Sequence, residues 1–388
     1  MALAQPGLGR YLASIFCIIF LEFLVMGISL GVLPAFVHNT LGWGNTVVGL
    51  VIGLQYIATL GTRHFAGKLA DARGGNVAVR RGILLSAVSG LFCLLAQGLP
   101  AVSLGALLIG RVLLGVGESF LVVGIFTWGF QLVGQKHIGR VMVWNGMGMY
   151  GGMAAGAPLG IYLQSRFGLA LAFTGILILP LLSLAATRLL PVVPLAKAEK
   201  RLPFYKAVHL VWKSGTGLAL ASIGFGGIAS FVPLYFQHRG WADASLALTT
   251  FGAAYILVRL FLAHFPDKHG GERVVMYSLV VEVLGQLLLW AAPSAPVAIA
   301  GAFLTGAGLS LVFPSFGQMA VKHVEPGNRG MAVAAYNAFF DLSLGLTAPI
   351  AGLIAGGVHY EYIYIFGAIA AAGSMALAGR EYARSRKP

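Results

Sequence analysis

Charged side chains are scarce in this chain. Only 10% of its 388 residues are Asp, Glu, Lys or Arg, whereas 58% are hydrophobic and the mean hydropathy is +0.85. A water-soluble domain of average composition carries about 25% charged residues. The shortage excludes a soluble globular protein and indicates a chain that is embedded in a lipid bilayer.

Cysteine is also rare, and phosphate-binding motifs are missing. Cys17 and Cys93 both lie inside apolar runs, where a thiol behaves as a small buried hydrophobe, so we predict neither a disulfide framework nor a metal site. The 26 Lys and Arg exceed the 12 Asp and Glu, but they are scattered and form no basic stripe for nucleic acid. No Gly-x-x-x-x-Gly-Lys-Ser/Thr loop occurs, so ATP is not the expected energy source and no cofactor is predicted.

Long apolar runs are what the chain has instead. A helix needs about 20 apolar residues to cross a hydrocarbon core. The sequence predicts an all-α membrane protein with twelve such helices, near residues 11–35, 46–66, 82–99, 102–130, 141–164, 169–187, 215–236, 245–264, 274–292, 297–321, 331–357 and 361–379. The first run is too long for a signal peptide and contains Glu22, so we interpret it as the first span.

The distribution of Lys and Arg predicts the topology. With the N-terminus inside the cell, 22 of the 26 cations fall on inner segments, whereas only Arg166 and Arg239 fall on outer loops. Positive charge is retained on the cytoplasmic side of membrane proteins. Both termini are therefore predicted to be cytoplasmic.

The two halves of the chain resemble each other. A polar segment at residues 188–214, predicted to be a cytoplasmic linker, separates an N-terminal bundle at 1–187 from a C-terminal bundle at 215–388. The order of matching residues is the same in both halves: Leu33-Pro34 with Val232-Pro233, Arg63, Asp71 and Gly74-Gly75 with Arg259, Asp267 and Gly270-Gly271, Trp144-Asn145 with Tyr336-Asn337, and Ala157-Pro158 with Ala348-Pro349. Two parallel six-helix repeats are a plan of secondary transporters, whose substrate site lies near mid-membrane between the repeats.

Several motifs carry a resemblance to one family. Gly67-Lys-Leu-Ala-Asp-Ala-Arg-Gly74 resembles the signature loop between the second and third spans of the major facilitator superfamily, and Arg111-Val-Leu-Leu-Gly-Val-Gly117 resembles its fourth-span signature. The fifth span, with Gly148, Gly152, Gly156, Pro158 and Gly160, is similar to its antiporter signature. With Val312-Phe-Pro314 and Asp341-Leu-Ser-Leu-Gly345 added, the chain is most similar to the YhhS/YfcJ branch, the arabinose-efflux-like permeases among the drug/sugar:proton antiporters.

This resemblance implies a secondary active transporter of the cell inner membrane. The expected activity is proton-coupled efflux of a small molecule, such as a sugar, a drug or an organic anion, by alternating access. The expected partners are that substrate, protons and the lipid bilayer, and we expect a monomer. An importer or facilitator of the same fold, for a sugar, an organic acid or a metal chelate, is the alternative. A membrane enzyme or sensor is a third class, but we expect no enzyme.

Acidic side chains inside spans are the candidates for proton coupling, because an ionised group in a bilayer is costly unless it faces protein or water. Glu22 lies 12 residues after Arg10, about 18 Å along a helix. The resemblance places Glu22 and Glu118 on helices that line the cavity, and Asp341 lies at mid-depth in the eleventh span. The structural alternatives are cavity lining for Glu22, an interhelical hydrogen bond for Glu118 and a backbone cap for Asp341. Glu282, in a span that the resemblance places at the periphery, is interpreted as structural.

The candidates for cargo binding combine one cation with polar and aromatic groups. Arg111, inside the fourth span, is predicted to contact an anionic or hydroxylated cargo or an acid of another span, the alternative being a structural ion pair. The matched pairs Trp144-Asn145 and Tyr336-Asn337 provide a lining suited to a sugar, although aromatic residues near span ends also anchor helices at the interface.

Two further groups have predicted roles in gating and packing. Asp71 and Asp267 are expected to stabilise the closed inner side through helix ends and nearby arginines, with Arg63 and Arg259 as candidates. Gly148, Gly152 and Gly156 recur every four residues, so they allow close helix contact, and Pro158 bends the span.

Overall fold

Helices form all the regular structure in the part of the chain that the computed structural model describes, residues 8–134, 138–193, 203–322, 324–325 and 329–385. The predicted all-α class is confirmed. The helices are α1 (Leu8–Ala35), α2 (Asn45–Arg73), α3 (Gly75–Gly98), α4 (Ser103–Val133), α5 (Ile138–Phe167), α6 (Leu169–Ala186), α7 (Phe204–His238), α8 (Ala244–Leu262), α9 (Phe265–His269), α10 (Gly271–Trp290), α11 (Ala295–Val321), α12 (Arg329–Gly357) and α13 (Tyr362–Ser385).

Eleven segments of the described chain are long and apolar enough to cross a membrane. The long helix α5 is not among them, because its many glycines, together with Arg140, Asn145 and Arg166, lower its hydropathy. Twelve crossings and cytoplasmic termini stay predictions. Six cations of the predicted inner segments lie outside the described residues: Lys136, Lys197, Lys200, Arg201, Arg386 and Lys387.

The chain divides into two compact units. Unit 1 contains Met1–Val32 and Ile57–Ala198, and unit 2 contains Leu33–Tyr56 and Glu199–Pro388. The predicted halves differ from this division in one segment, since Leu33–Tyr56 groups with the C-terminal helices.

Glycines explain why the start of α2 belongs to unit 2. A Cβ on Gly53 would lie 2.7 Å from the carbonyl oxygen of Gly345 in α12, and a Cβ on Gly352 would lie 2.5 Å from that of Asn45. The two helix backbones therefore touch. Tyr360, which follows α12, donates a hydrogen bond to Asn45 Oδ1 (3.0 Å). Burial raises the pKa of Tyr360, against the opposite effect of this bond, so the hydroxyl remains a donor at neutral pH.

The predicted linker is shorter in the structure. Helix α7 begins at Phe204, so residues 204–214 of the predicted segment are helical. Ala207 and Val211, four residues apart, are fully buried, while the cations lie on other faces of the helix. The segment is an amphipathic extension of the seventh predicted span, which its charge had hidden.

Equivalent glycines close the packing of the third and fourth helices of each repeat. In unit 1 a Cβ on Gly117 of α4 would lie 2.7 Å from the Gly82 carbonyl oxygen and 3.1 Å from the Ser86 nitrogen of α3. In unit 2 a Cβ on Gly308 of α11 would lie 2.5 Å from the Glu282 nitrogen of α10. Each glycine thus lets its helix approach the neighbouring backbone.

A serine joins the last long helix of each unit to the first. Ser183 of α6 donates to the carbonyl oxygen of Ile18 in α1 (3.4 Å), and Ser374 of α13 donates to that of Gly217 in α7 (2.7 Å). The internal repeat seen in the sequence therefore extends to individual contacts within the two units.

Candidate functional site

Glu22 lies in the interior of unit 1. Its side chain is 3% exposed, and its carboxyl group is hydrogen-bonded with the hydroxyls of Ser86 in α3 and Ser183 in α6. Its Oε1 atom has no hydrogen-bond partner among the described residues, and no cation there acts on the carboxyl group. The predicted helix agrees with this placement, but the side chain is directed toward α3 and α6, a direction that the sequence did not indicate.

The surroundings of Glu22 suit a neutral acid. Ser183 already donates its hydroxyl proton to the Ile18 carbonyl, so its lone pairs are available to accept a hydrogen bond from a protonated carboxyl. In the part of the chain that the structure describes, an ionised carboxylate in this place would have two hydroxyls and no cation to replace its hydration. The arrangement therefore favours a carboxyl group that binds a proton while it is buried.

Glu118 of α4 is held by a residue that sequence reasoning missed. Thr59 of α2 lies 3.0 Å from Glu118 Oε2, and also 3.0 Å from the Gly115 carbonyl oxygen. Gln55, Thr59 and Arg63 recur every four residues and are all buried, so one face of α2 carries a polar stripe. A search for charges alone overlooks this stripe, whereas its helical spacing is visible in the sequence.

Arg111 is enclosed in unit 1. It is 1% exposed and lies close enough to Cys93 of α3 to act electrostatically on that thiol. Arg111 and Glu118 are two turns apart on α4, so they mark two levels of the same helix. A buried guanidinium needs compensating groups, which a structural network or an anionic cargo can provide.

The matched aromatic and amide pairs have different surroundings. In α5 the Trp144 ring meets Phe16 edge to face, with centroids 5.8 Å apart, and Asn145 contacts Met149 Sδ at 3.3 Å. Asn145 Oδ1 is buried with no hydrogen-bond partner among the described residues. This free acceptor makes Asn145 the better placed of the two for a polar ligand.

In unit 2 the corresponding tyrosine has a structural contact. Tyr336 of α12 donates to the Phe313 carbonyl oxygen of α11 (2.8 Å). Asn337 is half-buried and Asp341, one turn further on, is buried. The structure thus connects Tyr336 to α11 and leaves Asn337 the more accessible member of the pair.

The predicted gate residues differ in exposure. Arg63 and Arg259 are buried, whereas Asp71 and Asp267 are exposed. Arg259 donates to the Ser310 carbonyl oxygen (2.9 Å) and its guanidinium lies 4.9 Å from the Tyr255 ring centroid.

Asp267 accepts a hydrogen bond from Gln318 Nε2 of α11 (2.8 Å). This bond joins the short helix α9 to the end of α11. Such a contact suits the predicted gating role, which stays a prediction.

The glycine ladder of α5 brings its backbone against α1. A Cβ on Gly152 would lie 2.5 Å from the Phe20 carbonyl oxygen, and a Cβ on Gly148 would lie 2.9 Å from the Ile19 side chain. A Cβ on Gly156 would overlap the Leu24 carbonyl oxygen, and Pro158 lies inside the same helix. These contacts support the packing role predicted for the ladder.

The described chain contains twelve helices of eighteen or more residues, contacts that repeat in the two units, and buried ionisable groups. These features are those of a duplicated membrane bundle. Residues 15–247 and 216–388 each match the Major Facilitator Superfamily. The chain belongs to that superfamily. It is therefore a multi-pass membrane protein and a secondary transporter.

Relatives and a solved structure agree with this membership. Uncharacterized MFS-type transporters are 45% identical in Pseudomonas aeruginosa, covering 99% of this chain and 96% of the relative, and 43% identical in Salmonella typhimurium, covering 95% and 96%. The crystal structure of a D-xylose-proton symporter matches with a TM-score of 0.77 at 16% identity, covering 94% of this chain and 97% of that one. At this identity the match shows the fold alone.

Proposed function

We propose that this major facilitator superfamily transporter exports a small organic molecule in exchange for protons across the cell inner membrane. Glu22 is the proton-coupling carboxyl, with Glu118 and Asp341 as further candidates. Arg111, Trp144, Asn145, Tyr336 and Asn337 contribute to recognition of a sugar, a drug or an organic anion. Arg63, Asp71, Arg259 and Asp267 act in gating.

The observation that carries this proposal is the environment of Glu22. Its carboxyl group is buried and meets two hydroxyls and, among the described residues, no cation. Such a group is stable in the neutral form when dry and ionises when water reaches it. A transporter that alternately wets and buries this side chain therefore carries a proton on it.

Arg111 supports a cargo with anionic or hydroxyl groups. The guanidinium has five donors in a fixed fork, which suits carboxylate and vicinal hydroxyl acceptors. Organic acids and sugars are therefore the first compounds to test, and amphipathic drugs are the comparison class.

The experiment uses everted membrane vesicles that hold a pH gradient reported by acridine orange. Sugars, organic acids and amphipathic drugs that raise the melting temperature of the purified protein are the probes. Adding such a compound should dissipate the gradient in the wild type. Glu22→Gln should bind the compound with the same thermal shift and dissipate nothing, because an amide cannot release a proton. Glu272→Gln, in the first turn of α10, is the matched control and should behave as the wild type.

Two results would contradict the proposal. Equal dissipation by Glu22→Gln and the wild type would remove Glu22 from the coupling. Absence of dissipation with every bound compound would remove proton exchange altogether. Direction is read in the same vesicles, since an exporter accumulates radiolabelled cargo in their acidic interior, whereas a proton-coupled importer does not.

A further inference from the structure

Glu282 in unit 2 occupies the position that Ser86, a hydrogen-bond partner of Glu22, occupies in unit 1. Arg63 and Arg259 are 196 residues apart, and so are Ser86 and Glu282. The packing agrees, because Gly117 approaches the backbone at Ser86 and Gly308 approaches the backbone at Glu282. Glu282 on α10 is thus the counterpart of Ser86 on α3.

In the first helix of each repeat the acid is in unit 1 and the uncharged residue is in unit 2. Pro34 and Pro233 are 199 residues apart, and this spacing places Ala221 of α7 at the position of Glu22. The serine contacts use the same spacing, since Ile18 and Gly217 are also 199 residues apart and accept bonds from Ser183 and Ser374. Each unit therefore has one carboxyl at this helix junction: Glu22 opposite a serine in unit 1, and Glu282 opposite an alanine in unit 2.

No compensating group contacts Glu282 in the described part of the chain. Its side chain is 0% exposed, and neither oxygen has a hydrogen-bond partner among the described residues. Replacing the hydration of an ionised carboxylate requires a cation or several donors, and neither contacts Glu282 in the described structure. An ionised carboxylate is therefore disfavoured in this environment relative to the neutral acid.

Several charged and titratable groups on the helices around α10 contact groups other than Glu282. Helix α11 has none in its sequence. On α7 and α13, Lys213 pairs with Glu381 (3.0 Å), while the rings of Tyr235 and Tyr364 pack on each other with centroids 5.1 Å apart. On α9, Asp267 is bound by Gln318.

Gln286 adds a polar neighbour to Glu282. It is one turn further along α10, between Gly224 of α7 and Gly367 of α13. Gln286 Nε2 donates to Thr305 Oγ1 (3.2 Å), while its Oε1 atom has no hydrogen-bond partner in the described structure. The two side chains share one face of the helix, so this oxygen is an acceptor within one turn of the acid.

We propose that Glu282 is a second proton-binding site of this transporter, contained within unit 2 at the junction that corresponds to the Glu22 site of unit 1. Solvent supplies the proton, which binds one carboxylate oxygen and converts the side chain to a neutral acid. A role of this site in transport rests on the proton coupling proposed above. The binding of the proton to Glu282 does not.

Infrared spectroscopy of the purified full-length protein tests this inference without cargo or gradient. At neutral pH the carbonyl stretch of a protonated carboxylic acid, which shifts in D₂O, should be present in the wild type. Glu282→Gln should remove one such component and Glu22→Gln another, and the double variant should lack both. Glu272→Gln, on the same helix as Glu282, should leave the spectrum unchanged. A Glu282→Gln spectrum equal to that of the wild type would overturn the proposal.

A swap variant keeps the test decisive if Glu282→Gln does not fold. Ala221→Glu with Glu282→Ser gives unit 2 the arrangement of unit 1, and the component lost on removing Glu282 should be present again. Its absence in a folded swap variant would contradict the equivalence of the two sites. Because neither measurement involves transport, failure of proton-coupled export in vesicles would leave both results standing.

Discussion

The hydroxyl of Thr59 is expected to stabilise the protein by donating to a buried carboxyl group. Its Oγ1 atom is 3.0 Å from Glu118 Oε2, inside unit 1. Thr59→Val keeps the shape and removes this donor. We expect a loss of about 1–3 kcal/mol in the free energy of unfolding, since a buried acceptor loses a partner. Reversible unfolding in mixed detergent micelles measures it.

Thr250→Val is the control for this prediction. The Thr250 hydroxyl bonds to the Leu246 carbonyl of its own helix, 2.8 Å away, so its removal leaves no carboxyl group without a donor. The two variants should therefore differ. Equal unfolding free energies for both would show that Glu118 does not depend on Thr59.

At the residue scale, the sequence predicted positions along helices better than directions around them. Glu22 was correctly predicted to lie inside a long helix, because helix membership follows from counting residues along an apolar run. Its direction toward α3 and α6 depends on Ser86 and Ser183, which are far away in sequence and uncharged. Nothing local to the first span specifies that direction.

Helix α5 depends on the absence of side chains along one face. Gly152→Ala would place a Cβ 2.5 Å from the Phe20 carbonyl oxygen, so α5 and α1 must separate. We expect a lower melting temperature, because overpacking commonly costs about 1–3 kcal/mol. The measurement is the melting temperature of the purified protein followed by tryptophan fluorescence.

Gly61→Ala should raise the melting temperature instead of lowering it. Gly61 lies inside α2 with nothing within 4 Å of a built Cβ. Alanine there gains about 1 kcal/mol of helix propensity over glycine. A decrease in melting temperature of the same size for both variants would contradict the role of the α1–α5 contact.

At the element scale, helix existence was easier to predict than helix ends. Apolar runs identify the spans because the bilayer sets their length. The start of α7 was missed because residues 204–214 carry cations, although Ala207 and Val211 continue one apolar face. Helices extend beyond the membrane wherever such a face is present, and hydropathy alone does not report it.

For the whole molecule, the placement of Leu33–Tyr56 in unit 2 predicts how separated halves behave. A fragment of residues 199–388 lacks the part of α2 that packs on α12. We expect this fragment alone to aggregate in detergent and to be recovered with a co-expressed fragment of residues 1–198. Affinity purification through a tag on one fragment measures the recovery of the other.

Variants within α2 make this prediction specific. Gly49→Leu should reduce the recovery of the partner fragment, because a Cβ at Gly49 already overlaps the Ala348 carbonyl oxygen. Gly61→Leu on the same helix should leave recovery unchanged. Equal recovery in both variants would show that the α2–α12 contact does not join the fragments.

The repeat was predictable at this scale because its matched motifs are local in sequence. The exchange of acid positions between Glu22 and Glu282 was not, because the spacing of the motifs does not show that these positions meet at one helix junction, which depends on the serine and glycine contacts of the two units. From the sequence, Glu282 is interpreted as structural because the family resemblance places its helix at the periphery of the bundle.

The bond from Ser183 to Ile18 also bears on how the protein is made. Its two residues are 165 apart in the chain, and a ribosome adds about 5–20 residues per second. Helix α1 is consequently synthesised many seconds before α6. Until α3 is made, Glu22 has neither of its serine partners, and it lacks Ser183 for the rest of that interval. The apolar residues of α1 must therefore first carry the acid into the bilayer unaided.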